Sequence, residues 1–236
     1  MLNIKIPLEE ERIITTRAGA SDLFERLRAD ILECRLQPGE RLRFDETRLR
    51  YATGLSPLRE ALMRLAQEGL VVLESQRGFH VAPVSVSDLL DVTRMRIELE
   101  IMAIRWSIEH GDDQWEVGVV GSIHALSKLV KSDGDLNINL EWERRHDNFH
   151  TSLVIACGSE WLIRMRRMLY DRADRYRRLS IKYRAVQRND ITEHRKLADA
   201  VLARDVKTSS ELVRDHIETT SLVILSATDS NFIKTN

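Results

Sequence analysis

The sequence predicts a mostly α-helical chain, in which a small N-terminal domain with one β-hairpin precedes an all-helical C-terminal bundle. Apolar residues recur at helical spacing along most of the 236 residues, and β-type runs are confined to residues 71–81. Only 10 Gly and 4 Pro are present, which leaves little room for the turns of a β sandwich. The composition, 43% hydrophobic and 31% charged, is typical of a folded domain.

The chain is long enough for two modest domains between two short tails. We expect a tail at 1–17, a first domain at 18–84, a helical domain at 85–228 and a second tail at 229–236. The net charge of −1 identifies no nucleic-acid or membrane partner. No apolar run is long enough for a secretion signal or a membrane span, and the two cysteines fit no metal-ligand spacing. We therefore expect a cytoplasmic protein with reduced thiols.

The first predicted helix follows a possible cap at Ser21 and stops at Pro38. It carries Leu23, Leu27 and Ile31 on its inward face. The second helix starts near Asp45, which is an acceptable N-cap residue, and carries Leu49 inward.

The third helix follows the turn "ATG" and begins with a Ser-Pro pair. Ser56 is expected to cap it, and Pro57 fits the first position because that N–H has no partner within a helix. Its inward stripe is Leu58, Ala61, Leu62 and Leu65.

Two short β-type runs, 71–73 and 79–81, flank a polar turn that ends in Arg77 and Gly78. Three helices followed by a hairpin in about 65 residues is the plan of a winged helix-turn-helix domain. In that plan the N-terminal end of the third helix enters the major groove of DNA. The tip of the hairpin reaches a neighbouring groove.

Arg59 lies near the start of the third helix, where exposed N–H groups favour phosphate and the side chain can reach the groove. The alternative is that Arg59 and Glu60 form an ordinary exposed pair beside a helix end. Arg48 and Arg50 of the second helix are expected to contact phosphate. The candidate DNA-binding residues are Arg48, Arg50, Ser56, Arg59, Arg77 and Gly78.

The rest of the chain is predicted to form six helices, because short polar or Gly-containing turns such as "HGDD" and "CGSE" divide a continuous helical pattern. Helices without a sheet must pack on one another in a bundle. The expected helices are 86–110, 113–132, 136–157, 159–185, 190–204 and 206–227.

Histidines suggest a metal site in this bundle. His146 and His150 are four residues apart on one helix face, with Asp147 between them, and His194 and His216 lie on two later helices. Converging imidazoles suit zinc, with nickel or manganese as alternatives. For each His, the competing interpretation is a hydrogen-bonded helix histidine, and periodicity alone does not show that the four converge.

The motifs "LQPGERL", "GLSPLREAL", "LAQEGLV" and "RGFHV" resemble the N-terminal domain of GntR-type bacterial transcription regulators over residues 18–84. The resemblance implies a winged helix-turn-helix that binds DNA, and Arg59 and the wing Gly78 match its motif. Many members have two more residues between the turn Gly and the Pro-x-Arg-Glu unit, often including a base-reading Arg. This sequence lacks them, so a full set of base contacts does not carry over.

The motifs "RMRIELE", "FHTSLVIACGS", "EHRKLADAVLARD" and "VRDHIETT" resemble the FadR-type effector domain called FCD. In metal-binding members, an Asp four residues before the "FH" His, that His, and one His from each of two later helices hold the ion. His150, His194 and His216 match the three His positions. His146 stands where the family has Asp, which leaves the fourth ligand open between His146 and Asp147.

A narrower resemblance, carried by "EWERRHDNFH", "ACGS" and "RYRRL", is to glutarate-responsive repressors of the CsiR or GlaR kind. Arg96 stands at the "R-x-x-L-E" position, which in FCD relatives points into the cavity beside the metal. A guanidinium there can form a bidentate pair with an effector carboxylate. The alternative for Arg96 is a salt bridge on its own helix. Arg145 and Tyr176 are further candidates for the effector pocket.

These features predict a homodimeric regulator, most simply a repressor, that binds double-stranded operator DNA and senses a small carboxylate at a metal site. One rival is a metal-dependent hydrolase or lyase that uses the His cluster. That rival leaves the winged domain unexplained, and the sequence contains neither a His-Glu-x-x-His helix nor a phosphate-binding Gly loop. A third possibility is a regulator with a metal-free pocket.

Overall fold

A computed structural model of the chain describes residues 22–129, 139–182 and 191–227. The chain divides into two compact units between Val84 and Ser85. Both predicted tails lie outside the described residues. Within those residues, no helix is both long enough and apolar enough to cross a membrane.

The N-terminal unit packs helices against one β-hairpin. Val71 pairs with Val81 and Glu74 with Gly78, so the two strands are antiparallel and joined by a tight turn. The buried core contains the inward residues expected for the first and third helices. The elements described are α1 (22–32), α2 (Phe44–Arg50), α3 (Leu55–Gln67), β1 (Val71–Glu74) and β2 (Gly78–Val81).

The first two helices differ from the sequence expectation. Helix α1 ends at residue 32, well before Pro38, because Cys34 adopts a left-handed φ of 55° and the N–H groups of the next two residues bond to the carbonyl of Asp30. The expected cap Ser21 lies outside the described residues. Leu49 does not point inward. It is 75% exposed, and Thr47 of the same helix is buried instead.

The starts of α2 and α3 also lie one or more residues from the predicted positions. Helix α2 follows Arg43, and Asp45 lies within its first turn. Helix α3 follows Gly54, and the side chain of Ser56 makes no capping hydrogen bond. Pro57 is therefore the third helical residue, a position that still needs no N–H donor. Arg59 is the fifth, one turn into the helix.

The C-terminal unit is an all-helical bundle. Its helices are α4 (Val86–His110), α5 (Asp113–Ser127), α6 (Leu140–Ser152), α7 (Glu160–Lys182), α8 (Ile191–Leu202) and α9 (Val206–Ala227). Helix α4 packs against α7 and α9, α5 packs against α6 and α8, and α8 packs against α9. All six predicted helices are therefore present in order.

Some predicted helix ends differ or cannot be compared. The helix expected at 136–157 ends at Ser152, and a separate 3-10 turn follows at Ile155–Cys157, closed by Gly158 with a φ of 71°. The predicted helical stretches at 130–132, 136–138, 183–185 and 190 lie outside the described residues.

Candidate metal centre and DNA-binding surface

Four histidines converge in the core of the helical unit. His146 and His150 come from α6, His194 from α8 and His216 from α9, and all four side chains are buried. One nitrogen from each ring lies within 4.8 Å of the others. The Nε2 atom of His150 is 3.2 Å from the Nε2 atoms of both His146 and His194. The structure thus brings together the three histidines that match the family motif and His146, which stands where the family has Asp.

On α6, His146 faces the other three histidines and Asp147 does not. The side chain of Asn139 accepts hydrogen bonds from the first N–H groups of α6, which fixes where the helix begins. His146 and His150 are then one turn apart and face the bundle interior. Asp147 faces another way and forms a bidentate contact at 2.7 Å with Arg167 of α7.

Hydrogen bonds to Nδ1 orient two of the rings. The Nδ1 atom of His216 lies 3.1 Å from a carboxylate oxygen of Glu193, and the Nδ1 atom of His146 lies 3.4 Å from the hydroxyl of Tyr170. A carboxylate at Nδ1 accepts the ring proton, which fixes the tautomer of a ligating histidine and leaves Nε2 for a metal ion. Glu193 therefore favours presentation of Nε2 by His216, whereas the hydroxyl of Tyr170 can donate or accept and only orients the ring of His146.

Two of the four histidines, His146 and His150, are held neutral by their surroundings. Burial lowers the pKa of His146 and of His150 well below the ordinary value, and the neighbouring imidazoles lower both further. Arg96 and Arg166 add to this effect on the pKa of His150, which places two positive charges close to that ring. Neutral imidazoles have the free lone pairs that a metal ion needs.

The donor set fits a divalent ion. A tetrahedral zinc ion with Zn–N bonds of about 2.0–2.1 Å holds its ligand nitrogens about 3.3 Å apart. The two Nε2 separations of 3.2 Å match this spacing. Four imidazoles also suit nickel, whereas manganese prefers oxygen ligands, so the chemistry of this set favours zinc or nickel.

A buried polar group adjoins the cluster. The guanidinium carbon of Arg96 lies 4.9 Å from the ring centre of Tyr170, and that of Arg166 lies 5.8 Å from the same ring. Glu100 on α4 lies between the two arginines, with an Oε2 atom 2.7 Å from Nε of Arg166 and an Oε1 atom 3.8 Å from Nε of Arg96. The expected salt bridge of Arg96 on its own helix is therefore present but long.

Sequence reasoning missed Arg166 and Tyr170, and considered Glu100 only as a possible salt-bridge partner of Arg96. A signal was available for Arg166, because it follows Leu162 by four residues and precedes Tyr170 by four, and so falls on the buried stripe of α7. A charged residue at such a position is rarely buried without a partner. The sequence gives no sign of which partner that is.

Two effector candidates lie elsewhere in the unit. Arg145 donates to Glu141 at 2.7 Å and to the carbonyl of Ala125 at 3.2 Å, which ties α6 to α5. The hydroxyl of Tyr176 donates to Asp88 at 2.5 Å and accepts a hydrogen bond from the N–H of Ser85, which ties α7 to the start of α4. Both side chains therefore have structural partners away from the histidines.

The candidate DNA-binding residues lie on the surface of the N-terminal unit. Arg59 and Ser56 are exposed on α3, and Arg50 is exposed at the end of α2. Arg48 forms only a loose contact, 3.4 Å, with Asp45.

The wing tip is equally open. Arg77 is 76% exposed and lies 3.5 Å from Glu74, and Gly78 has a φ of 79° that favours glycine. The exposed arginines of α2, α3 and the wing can thus reach a ligand without breaking a buried contact.

Comparison with known proteins agrees with this architecture. The family model for bacterial regulatory proteins of the gntR family matches residues 8–81, and the FCD domain model matches residues 91–219. The HTH-type transcriptional repressor GlaR of Escherichia coli K12 is 40% identical over 89% of this chain and 97% of its own. BphR of Paraburkholderia xenovorans LB400, described as an uncharacterised HTH-type transcriptional regulator, is 41% identical over 90% of this chain and 87% of its own.

Solved structures show the same fold. E. coli McbR/YncC superposes with a TM-score of 0.72 at 21% identity, covering 88% of this chain and 97% of its own. A GntR regulator from Rhodococcus sp. RHA1 gives a TM-score of 0.71 at 18% identity, covering 89% and 99%. The two domain matches and the identity to GlaR and BphR show that this chain belongs to the GntR family of bacterial regulatory proteins and carries an FCD domain.

Proposed function

We propose that the protein is a homodimeric transcription repressor that binds operator DNA through its N-terminal unit, under the control of a small carboxylate bound at a metal ion in the helical unit. The observation that supports a carboxylate ligand is the buried charge beside the histidines. Arg96 and Arg166 bring two positive charges, and Glu100 brings one negative charge. One positive charge is left in excess before any metal ion is counted.

DNA binding rests on the family and on the exposed arginines. GlaR of Escherichia coli is a transcriptional repressor, and its sequence identity to this chain extends over both units. In this proposal Arg59 of α3 contacts the major groove, and Arg77 and Gly78 form the wing tip that reaches a neighbouring groove. A two-fold protein matches the two half-sites of an operator, which is the reason to expect a homodimer.

The metal ion in this proposal is held by His146, His150, His194 and His216. Zinc is the first choice, with nickel second and manganese third, because the ligands are all imidazoles. When bound, the ion supplies two positive charges and a Lewis-acid position for an anionic ligand. The four neutral ligands do not offset that charge, whereas an aspartate at position 146 would.

The excess charge defines the ligand class. A buried cation without a compensating anion is costly, and an acid that reaches both the metal and Arg96 removes that cost. A dicarboxylate of about five carbons has two charges separated by a short apolar chain. Glutarate and 2-hydroxyglutarate are therefore the first ligands to test.

Control of DNA binding follows from where the ligand contacts lie. Arg96 and Glu100 both belong to α4, the first helix after the DNA-binding unit in the chain. A ligand that prefers one position of α4 shifts the population between two arrangements of the dimer. The size of the shift cannot exceed the difference in affinity of the ligand for those two states.

A thermal-shift screen tests the proposal in one experiment. Short-chain acids are added to metal-loaded protein and to protein treated with a chelator, because a ligand that binds only the folded state raises the melting temperature. We expect glutarate to raise the melting temperature of the metal-loaded protein and to have little effect after chelation. Equal shifts with and without metal would contradict the metal site, and no shift with any acid would contradict the carboxylate.

A further inference from the structure

The ion pair between Arg166 and Glu100 is the most deeply buried one next to the histidines. Both side chains are 2% exposed, and the pair joins α7 to α4 at 2.7 Å. The same carboxylate is also 3.8 Å from Arg96, so one acid is shared by two guanidinium groups. The carboxylate clamp described above uses Arg96 alone and leaves this pair without a role.

Several atoms of this group lack hydrogen bonds. Nη2 of Arg166, Nε of Arg96 and Oε1 of Glu100 are buried, and none has a hydrogen-bond partner among the described residues. Buried polar atoms of proteins almost always have partners, and an unsatisfied charged one is expensive. Nε of Arg96 and Oε1 of Glu100 face each other at 3.8 Å, so Nη2 of Arg166 is the clearest unmet donor, and an anionic ligand provides the acceptor that it lacks.

The two arginines are within reach of the same ligand. Both guanidinium groups lie against the ring of Tyr170, whose hydroxyl is 3.4 Å from His146. A ligand carboxylate placed at either guanidinium is thus separated from the histidines by about the size of one ring. A chain of a few carbons spans that distance.

We propose that Arg166 is a second specificity-determining residue, which binds the distal carboxylate of a dicarboxylate together with Arg96, and that Glu100 is a built-in competitor for the same site. This inference rests on the proposed function. Glu100 partly neutralises the two cations and so weakens the binding of any single carboxylate. A dicarboxylate overcomes the competition because its other carboxylate is already held at the metal, which gives a high effective concentration.

The alternative is a purely structural ion pair that no ligand touches. The two possibilities differ in what Glu100→Gln does. If Glu100 competes with the ligand, removing its charge strengthens the binding of a dicarboxylate. If the pair is only structural, the change lowers stability and leaves the choice between acids unaltered.

Calorimetry with two acids of equal length makes the test. Glutarate and pentanoate both have five carbons, and only glutarate has a distal carboxylate. Both are titrated into the full-length, metal-loaded wild type, Glu100→Gln and the control Glu98→Gln. Glu98 lies on the same helix with a side chain that is 65% exposed. The measured quantity is the ratio of the two affinities.

We expect Glu100→Gln to raise the preference for glutarate by about 10-fold or more, the size of a charged hydrogen bond. Glu98→Gln should keep the wild-type ratio. The double variant Arg166→Met with Glu100→Met removes the pair without leaving an unpaired charge and should retain the fold, and its preference for glutarate should fall about 10-fold below that of Glu100→Gln. Thermal unfolding of each variant checks that it is folded.

A wild-type ratio in Glu100→Gln, or the same ratio in Glu100→Gln and in the double variant, would overturn the inference and leave the proposed function standing. If the metal-loaded wild type binds neither acid, the proposed function fails, and the inference fails with it.

Discussion

His146 is the residue at which this chain departs from the ligand pattern of metal-binding FCD domains. Its ring stacks on Trp142 with ring centres 4.6 Å apart, and its Nε2 atom faces that of His150. An aspartate at this position would carry a negative charge into the site, whereas histidine is neutral. We infer that the substitution would leave an ion in the proposed site more positive and a stronger binder of acids.

The first prediction compares two neighbouring residues. His146→Ala should lower the metal content of protein purified without added metal, because one of four ligands is lost. Asp147→Ala should keep most of the metal, because that carboxylate is bonded to Arg167 on α7. Elemental analysis of the purified proteins measures both. The reverse order of effects would mean that Asp147, not His146, holds the ion.

The second prediction concerns pH and the metal-free protein. The pKa of His146 and of His150 is lowered in the folded state from the ordinary value of 6.5. As pH falls through about 6.5, the unfolded chain therefore binds protons that the folded chain does not. The free energy of unfolding should be constant above that pH and fall below it, by up to about 1.4 kcal/mol per pH unit for each residue.

Denaturant unfolding of chelator-treated protein measures this slope. The pH is varied from about 7.5 to about 5, the range in which histidine titrates. The double variant His146→Gln with His150→Gln should lose much of the slope. An unfolding free energy that stays level down to pH 5 would show that these imidazoles are not held neutral.

At this scale the sequence predicts the histidines better than the arginines. The spacing of His146 and His150 places them on one helix face, and the family motif brings in His194 and His216. Arg166 has no such help, because its partner Glu100 is 66 residues away in the chain. Which carboxylate meets a buried arginine depends on how α4 and α7 are packed, and local sequence does not contain that information.

At the scale of elements, α3 carries the DNA-binding hypothesis. The third prediction is that Arg59→Ala costs roughly 1–3 kcal/mol of operator affinity without lowering the melting temperature, because the side chain is exposed. Arg94→Ala is the matched control. Arg94 is equally exposed and has a local ion pair with Asp91, but it lies in the helical unit. A gel-shift titration at fixed salt compares the two, and equal affinities would remove Arg59 from the interface.

Helix α2 gives the contrasting prediction. Arg48 and Arg50 lie on its exposed side and are expected to meet phosphates, which carry no sequence information. Replacing either with Ala should weaken operator and random DNA alike and flatten the salt dependence of binding by about one unit of slope. A variant that loses affinity only for the operator would instead place that arginine on a base.

Helix boundaries are where the sequence reading of the elements was least accurate. The type and order of the elements follow from periodicity, and all are present. The end of α1 depends on a left-handed residue, Cys34, that propensity does not favour, and the inward residue of α2 is Thr47 rather than Leu49. These two residues are about 200° apart around the helix, so the packing that buries Thr47 exposes Leu49.

At the scale of the whole molecule, the claim is that one ligand site controls one DNA-binding surface. The ligand contacts begin on α4, and the proposed DNA contacts lie on α2, α3 and the wing. Coupling between them is a free energy, so the ligand changes DNA affinity by the same factor as DNA changes ligand affinity. The factor by which operator DNA changes ligand affinity, measured by calorimetry, must therefore equal the factor by which the ligand changes DNA affinity, measured by DNA titration.

The central claim is tested most directly by the glutarate concentration that produces half of the full change in operator affinity. This concentration is measured for the metal-loaded wild type and for Arg96→Ala. Arg96 is buried against Tyr170 and is one end of the proposed carboxylate clamp. Because a charged hydrogen bond is worth about 1.5–3 kcal/mol, Arg96→Ala should need roughly 10 to 100 times more glutarate, while binding metal and operator as the wild type does. The same glutarate concentration for both proteins, or no effect of glutarate on the wild type, would contradict the account.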